Sequence, residues 1–170
     1  MAEYWDVYNG SREKTGRRHR RGVPLKNGEY HIVVDIITIN LDGRLLIDRR
    51  SPLKRNCPNY WEFTSGSVVE GEDSLDGAVR ELSEEVGIVA KKDELRFIGS
   101  SRVENRFVDT YILVADVNVS NLVLQKSEVA EAKLVSLEEL DKICASSKNW
   151  CRSAVANYRS EIEQTIRALA

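Results

Sequence analysis

The segment GSVVEGEDSLDGAVRELSEEVGI, Gly66 to Ile88, limits what this chain can fold into more than any other stretch. It crowds Glu70, Glu72, Glu81, Glu84 and Glu85 into a run whose apolar residues keep the period of a buried helix. At about 100° per residue, Leu75, Val79, Leu82 and Val86 fall on one narrow stripe, with Asp73 or Ser74 placed to cap the N-terminus. Glu81, Glu84 and Glu85 then gather on an arc beside that stripe, because residues three and four apart share a side of a helix. Like charges so placed repel by about a few tenths of a kcal/mol per pair, and helix propensity does not require them there. A divalent cation turns the repulsion into attraction. Hard Mg²⁺ prefers oxygen ligands and commonly sits between a few carboxylates and substrate phosphates, keeping several waters. An acidic helix face by itself is ordinarily solvated surface, so the charge count alone decides nothing.

The flanking sequence supplies strands. HIVVDIITIN, His31 to Asn40, is β-branched and nearly continuous; LDG, Leu41 to Gly43, turns it into RLLIDRR, and together they read as a buried hairpin. ELRFIGSSRVEN and RFVDTYILVADVNV read as two further strands, and Val108, Thr110, Ile112 and Val114 keep a period of two. AKLVSL, Ala132 to Leu137, is a shorter strand. Ser136 and Glu139 have the spacing of a capping box and announce a helix over LEELDKICA. Val155, Tyr158, Ile162, Ile166 and Leu169 lie at three-and-four spacing, which predicts a C-terminal helix over 150–169 docked by one face. At the other end, Glu3–Asn9 and Ser11–Arg18 flank Gly10 as a short hairpin whose second limb is too charged for a core. The basic run GRRHRRG, Gly16 to Gly22, reads first as a flexible arm, with closure over phosphates or contact with RNA as alternatives.

Composition narrows the class. With 170 residues, 42% of them apolar, and no linker-like stretch, the expectation is one domain with one core. A net charge of -2 gives no bulk attraction to nucleic acid or membrane. Three cysteines, Cys57, Cys144 and Cys151, with no C-x-x-C spacing argue against a disulfide framework or a zinc knuckle. No apolar run approaches a membrane span, and the N-terminus lacks a signal-peptide pattern. A cytoplasmic protein is expected. A homodimer stays open.

The spacing around the acidic helix is specific. Gly66, five residues, Glu72, seven residues, then Arg80-Glu81-Leu82-x-Glu84-Glu85-x-Gly87-Ile88 fits every position of the Nudix box, and the chain resembles the Nudix hydrolases. Average composition puts a chance match on the order of one in a billion per start position, which outweighs the solvated-face reading. The resemblance runs over roughly Tyr30 to Leu140. It implies an α+β fold, the Nudix α/β/α sandwich with a mixed sheet, and Mg²⁺- or Mn²⁺-dependent cleavage of a diphosphate in a small molecule. By position, it implies Glu81, Glu84 and Glu85 as metal ligands, with Glu84, Glu85 and Arg80 at the catalytic centre. Arg80 would orient the glutamates, Glu72 would support loop and helix, and Gly66 and Gly87 would permit turns at the helix ends. It also places Glu128, in QKSEVAEAKLV, where relatives often carry a general base; an added metal ligand and an ordinary surface carboxylate are the other readings. Metal chemistry agrees with this, since a bound cation neutralises charge on phosphoryl oxygens and acidifies a water that attacks phosphorus.

Phosphate contacts are sought just ahead of the box. Strand alternation points one of Arg49 and Arg50 inward. Arg50 and Lys54 are the expected diphosphate contacts, the first a planar fork and the second a point charge.

Upstream features resemble the Nudix branch related to isopentenyl-diphosphate isomerase: an N-terminal hairpin, His31 at the start of the first long strand and Trp61 before the box. In the isomerases the counterpart of His31 is a metal ligand, and a catalytic Cys follows the Trp. Here EFTSGSVV contains no Cys, and Cys57 precedes Trp61, where it reads as a small apolar filler. Ser65 also stands where many relatives have a second Gly. A metal-dependent diphosphohydrolase uses every box residue. An isomerase lacks one of its two proton-handling groups, and a non-catalytic diphosphate-binding module leaves the glutamates without a purpose. Nucleoside, sugar, coenzyme and prenyl leaving groups all remain compatible.

Overall fold

The computed structural model describes residues 2–146 and 148–170. Strands β1 (Tyr4–Tyr8) and β2 (Lys14–Arg20) form a separate antiparallel hairpin. The remaining strands build one mixed sheet: β3 (His31–Asn40), β4 (Leu45–Arg50), β5 (Trp61–Glu62), β6 (Thr64–Ser67), β7 (Leu95–Val103), β8 (Arg106–Ala115) and β9 (Val129–Val135). Helix α1 (Ser74–Glu81) runs on into a π turn over Leu82–Val86, and α2 (Leu137–Ala145) and α3 (Cys151–Leu169) follow β9.

The hairpin predicted at residues 31–50 forms, with Gly43 at φ 80 in its turn, but it does not stay paired. Ile39 opposite Leu45 is its one registered pair; beyond it the two strands part. The gap is filled by β5 on β4 and β6 on β3, with Gly66 opposite Val34. β8 lies parallel to β3 from His31–Arg106 to Asn40–Ala115, and β9 covers the outer side of β4. β3, β4 and β6 all contribute residues to the cleft described below.

Helices cover both faces. Ile32, Val34 and Ile36 pack with Ala78, Leu82 and Val86 on the α1 side, while Ile37 and Ile39 pack with Leu140, Val155 and Ile162 on the α2–α3 side. A strand buried on both faces needs apolar residues at every position, which is why HIVVDIITIN is nearly continuous. β8 behaves likewise: Ile112 faces α3, and Tyr111 and Leu113 face α1. The capping box at Ser136 is made, with Ser136 and Glu139 exchanging hydrogen bonds of 2.7 and 3.1 Å.

The basic run is not an arm. Residues 14–20 are a β-strand registered on β1, from Tyr4–Arg20 to Tyr8–Lys14. Arg17 pairs with Glu29, Arg18 lies 4.7 Å over the Tyr4 ring, and Arg21 holds Glu3 at 2.7 Å. The hairpin is fastened to the body by reciprocal Tyr8–Tyr30 backbone bonds of 2.8 and 2.9 Å and by Arg12 donating to buried Asp109 and to Ser100. Composition read the strand as an arm because its neutralising partners are distant in sequence.

Candidate active site

Asp73 caps α1 by accepting the Asp76 N–H at 2.8 Å, so the helix starts where the sequence places it. Its end differs. The regular period stops at Glu81, and the wider π turn carries Glu84 and Glu85 before Gly87 closes it at φ 73. Such insertions recur at functional sites, and a uniform period does not foresee one. Glu81 and Glu85 are buried, at 8% and 7% exposure, while the Glu84 side chain is 53% exposed. The buried stripe is Ala78, Leu82 and Val86, with Leu75 and Val79 half-buried beside it.

Arg80 gathers the carboxylates. It donates to both Glu72 oxygens at 2.9 and 3.1 Å, to Glu81 at 2.8 Å, to Glu84 at 3.2 Å and to the Ser67 carbonyl at 2.9 Å. Glu72 also accepts the Val69 N–H at 3.3 Å, which ties the loop before the helix to the helix itself. Gly66 makes no turn: it sits inside β6, and a Cβ there would lie 2.0 Å from Glu81 Cδ. Glycine is required because the Glu81 carboxylate lies directly against the strand backbone.

Carboxylate density continues inward. Asp48 and Glu62 face each other across β4 and β5, both buried. Asp48 accepts from Thr64 Oγ1 at 3.0 Å, and Glu62 accepts from Arg50 at 2.7 Å. Asp48 Oδ1, Glu62 Oε2 and Glu85 Oε2 are buried without a hydrogen-bond partner among the described residues. Burial, with the neighbouring acids Asp48 and Glu81 adding to it, drives the Glu85 carboxyl well above the usual range; burial also raises Glu81. A cation at the helix would relieve this crowding, and the oxygen-only donor set suits Mg²⁺ or Mn²⁺. Among the described residues no three acidic, His or Cys side chains form a ready-made cage.

A cleft of about 1050 Å³ opens beside Glu81, Glu84 and Glu85, and Arg50, Lys54 and Glu128 also line it. The structure thus brings the expected residues to one place, with two differences in partnership. Arg50 is 8% exposed; its nitrogens donate to Glu62 and, at 3.1 and 3.2 Å, to the Asn56 carbonyl, and its guanidinium lies 4.5 Å from the Trp150 ring centroid. Arg50 thus lines the cleft with these donors already engaged inside the protein. Lys54 donates to Glu128, so these two share one ion pair.

Among the other lining residues, Trp5 and Trp150 carried no local signal, whereas Arg21 and Gly22 belong to the basic run for which closure over phosphates is an alternative reading. Trp5, Arg21 and Gly22 come from the hairpin and Trp150 from the approach to α3. Trp5 stacks on His31 at 3.9 Å with planes 7° apart, and burial, with Arg106 nearby, lowers the His31 pKa to about 4. Cys57, Cys144 and Cys151 are absent from the cleft lining; Cys151, the first residue of α3, is buried in the core with Leu140 of α2. No helix among the described residues is long and apolar enough to cross a membrane.

Comparison with known proteins identifies the family and the fold. The chain is 41% identical over 147 residues to an uncharacterized Nudix hydrolase of Listeria monocytogenes, covering 86% of this chain and 87% of that protein. It is 26% identical over 137 residues to the isopentenyl-diphosphate Delta-isomerase of Halobacterium salinarum, covering 75% of this chain and 64% of that protein. The crystal structure of DR0079 from Deinococcus radiodurans superposes with a TM-score of 0.71 at 25% identity, covering 86% of this chain and 91% of that one. The NUDIX domain profile matches residues 29–153, which contain β3 to β9, the glutamate-bearing helix and the arginine that orients it, and the chain therefore belongs to the Nudix hydrolase family.

Proposed function

We propose that this chain hydrolyses a phosphoanhydride bond in a small diphosphate-containing substrate, with a divalent cation, Mg²⁺ or Mn²⁺, held at Glu81, Glu84 and Glu85. The observation that carries this reading is the arrangement around Arg80: one guanidinium orders Glu72, Glu81 and Glu84, while the neighbouring Glu85, also in the cleft lining, keeps a buried oxygen without a partner among the described residues. The cation would supply charge neutralisation at the phosphoryl oxygens and an acidified water. The chain's own residues do the rest. Arg80 and Glu72 hold the carboxylates in place, Gly66 leaves room for Glu81, and the cleft walls position the diphosphate. Glu128 lines the same cleft and is the carboxylate available to take a proton from an attacking water.

The isomerase reading has less support, because allylic proton transfer needs two proton-handling groups and no thiol lines the cleft among the described residues. The test is a panel of diphosphate compounds incubated in ¹⁸O-labelled water with Mg²⁺ or Mn²⁺. Label is expected in a phosphate product, with Glu85→Gln losing at least about 100-fold in turnover while remaining folded. Proton exchange into isopentenyl diphosphate without phosphate release would overturn the hydrolase reading, and so would unchanged turnover of Glu85→Gln.

A further inference from the structure

Lys54 and Glu128 come from loops far apart in sequence, and backbone contacts fix both loops against the acidic helix. The Glu128 loop is held to the π turn, where Val123 N–H donates to the Val86 carbonyl at 3.2 Å and Gln125 N–H to the Glu85 carbonyl at 3.0 Å. The Lys54 loop is sewn to it in turn: Ser51 N–H donates to the Glu128 carbonyl at 2.7 Å and Ser51 Oγ to the Lys126 carbonyl at 2.9 Å. Only the two side chains are left to change partners. Their ion pair is neither sealed nor fully solvated, with Lys54 16% and Glu128 29% exposed, and both line the cleft beside Glu81, Glu84 and Glu85.

The chemistry of the pair makes it exchangeable. An ammonium on a flexible stem is a point charge that follows the strongest nearby anion, and it does not need the fixed fork geometry of Arg. In this structure that anion is Glu128. A divalent cation placed on the same acidic wall repels the ammonium, and a diphosphate in the cleft attracts it. Resting on the reading of this cleft as a metal-dependent diphosphate site, we propose that Lys54 is an exchangeable counter-ion. It neutralises Glu128 while the metal is absent and passes to the substrate's diphosphate when the metal binds, leaving the Glu128 carboxylate facing the reacting centre. Lys54 is thus a positioning residue for Glu128 as well as a phosphate contact. The exchange moves no covalent bond, and the ammonium keeps its proton throughout. By linkage, metal and diphosphate strengthen each other's binding through this one side chain.

The proposal predicts effects of opposite sign on the two ligands. Calorimetric titration of the full chain with Mg²⁺ alone should show Lys54→Met binding about three- to tenfold tighter than wild type, because a competing cation is gone. Titration with inorganic pyrophosphate in the presence of Mg²⁺ should show the same variant binding at least about tenfold weaker, the loss of one charge-assisted hydrogen bond. Lys54→Arg keeps the charge and should hold Mg²⁺ affinity near wild type. Lys54→Gln is a second neutral variant that must behave as Lys54→Met does, and thermal melts establish that each is folded. Unchanged or weaker Mg²⁺ binding in both neutral variants would overturn the exchange even if hydrolysis is demonstrated. Should no compound be hydrolysed, the function proposed above falls, and the two titrations still decide the exchange.

Discussion

Gly66→Ala is the substitution whose outcome the structure constrains most tightly. In a strand, replacing Gly by Ala is ordinarily worth a gain of about 0.5–1 kcal/mol from chain entropy. At this position the added methyl would lie 2.0, 2.1 and 2.4 Å from Cδ, Oε1 and Oε2 of Glu81, well inside contact distance. The strand cannot yield easily, because residues 64–67 are registered residue by residue on β3 from Ile36 to Val33. Glu81 must therefore leave its place and give up its 2.8 Å bond to Arg80, a charge-assisted contact worth about 1.5–3 kcal/mol. Set against the entropic gain, the net expectation is a loss of about 1–2 kcal/mol in urea denaturation. Displacing a carboxylate that the proposed mechanism places on the metal should also lower turnover by about 100-fold. The cycle with Glu81→Ala isolates the cause, since the methyl has room once the carboxylate is gone. Gly66→Ala should then gain about 0.5–1 kcal/mol in the Glu81→Ala background, a non-additivity of about 1.5–3 kcal/mol. Equal cost in both backgrounds would refute the steric argument, and wild-type stability with wild-type turnover in the single variant would refute the whole chain of reasoning.

Arg50→Met should act on stability before substrate affinity. It leaves Glu62, 4% exposed and with its carboxyl pushed up to about 8 by burial, without its partner, at a cost of about 1–3 kcal/mol in denaturation, and Arg50→Met/Glu62→Leu should recover much of it. A folded, wild-type-stable Arg50→Met whose only defect is a raised KM would show instead that Arg50 acts on the substrate's phosphates. His31 makes stability depend on pH with a definite sign: burial keeps it neutral in the folded chain down to about 4, whereas the unfolded chain protonates below about 6.5. Its contribution is therefore present above about 6.5 and is lost as pH falls toward 4, on the order of 2–3 kcal/mol. Denaturation at pH 7.5 and 4.5 should show His31→Phe losing less stability than wild type over that interval; equal losses would contradict the assignment.

Local patterning determined a great deal here. The Asp73 cap, the Gly87 stop, the capping box at Ser136 and the two-sided burial of β3 all follow from contacts within a few residues, or from a face that must be apolar along its length. The box spacing pointed to the family without any coordinates, since seven polar and glycine positions at set intervals carry more information than charge or composition. Residues brought together by the divergence of β3 and β4 were another matter. The ion pair of Arg50 was not legible because Glu62 sits on a different strand, and the basic run looked like an arm because Glu29, Glu3 and Glu70 neutralise it from elsewhere. Gly66 looked like a turn residue because a strand glycine shows its reason only when the side chain filling the vacant Cβ position is known. The π turn was equally hidden, for its spare carbonyls are satisfied by Val123 and Gln125, whose approach is a tertiary event. Periodicity reports which face of an element is buried, and only the assembled fold decides which charges meet inside it, because a charge's partner is chosen by distance in space and the chain order carries no record of that distance.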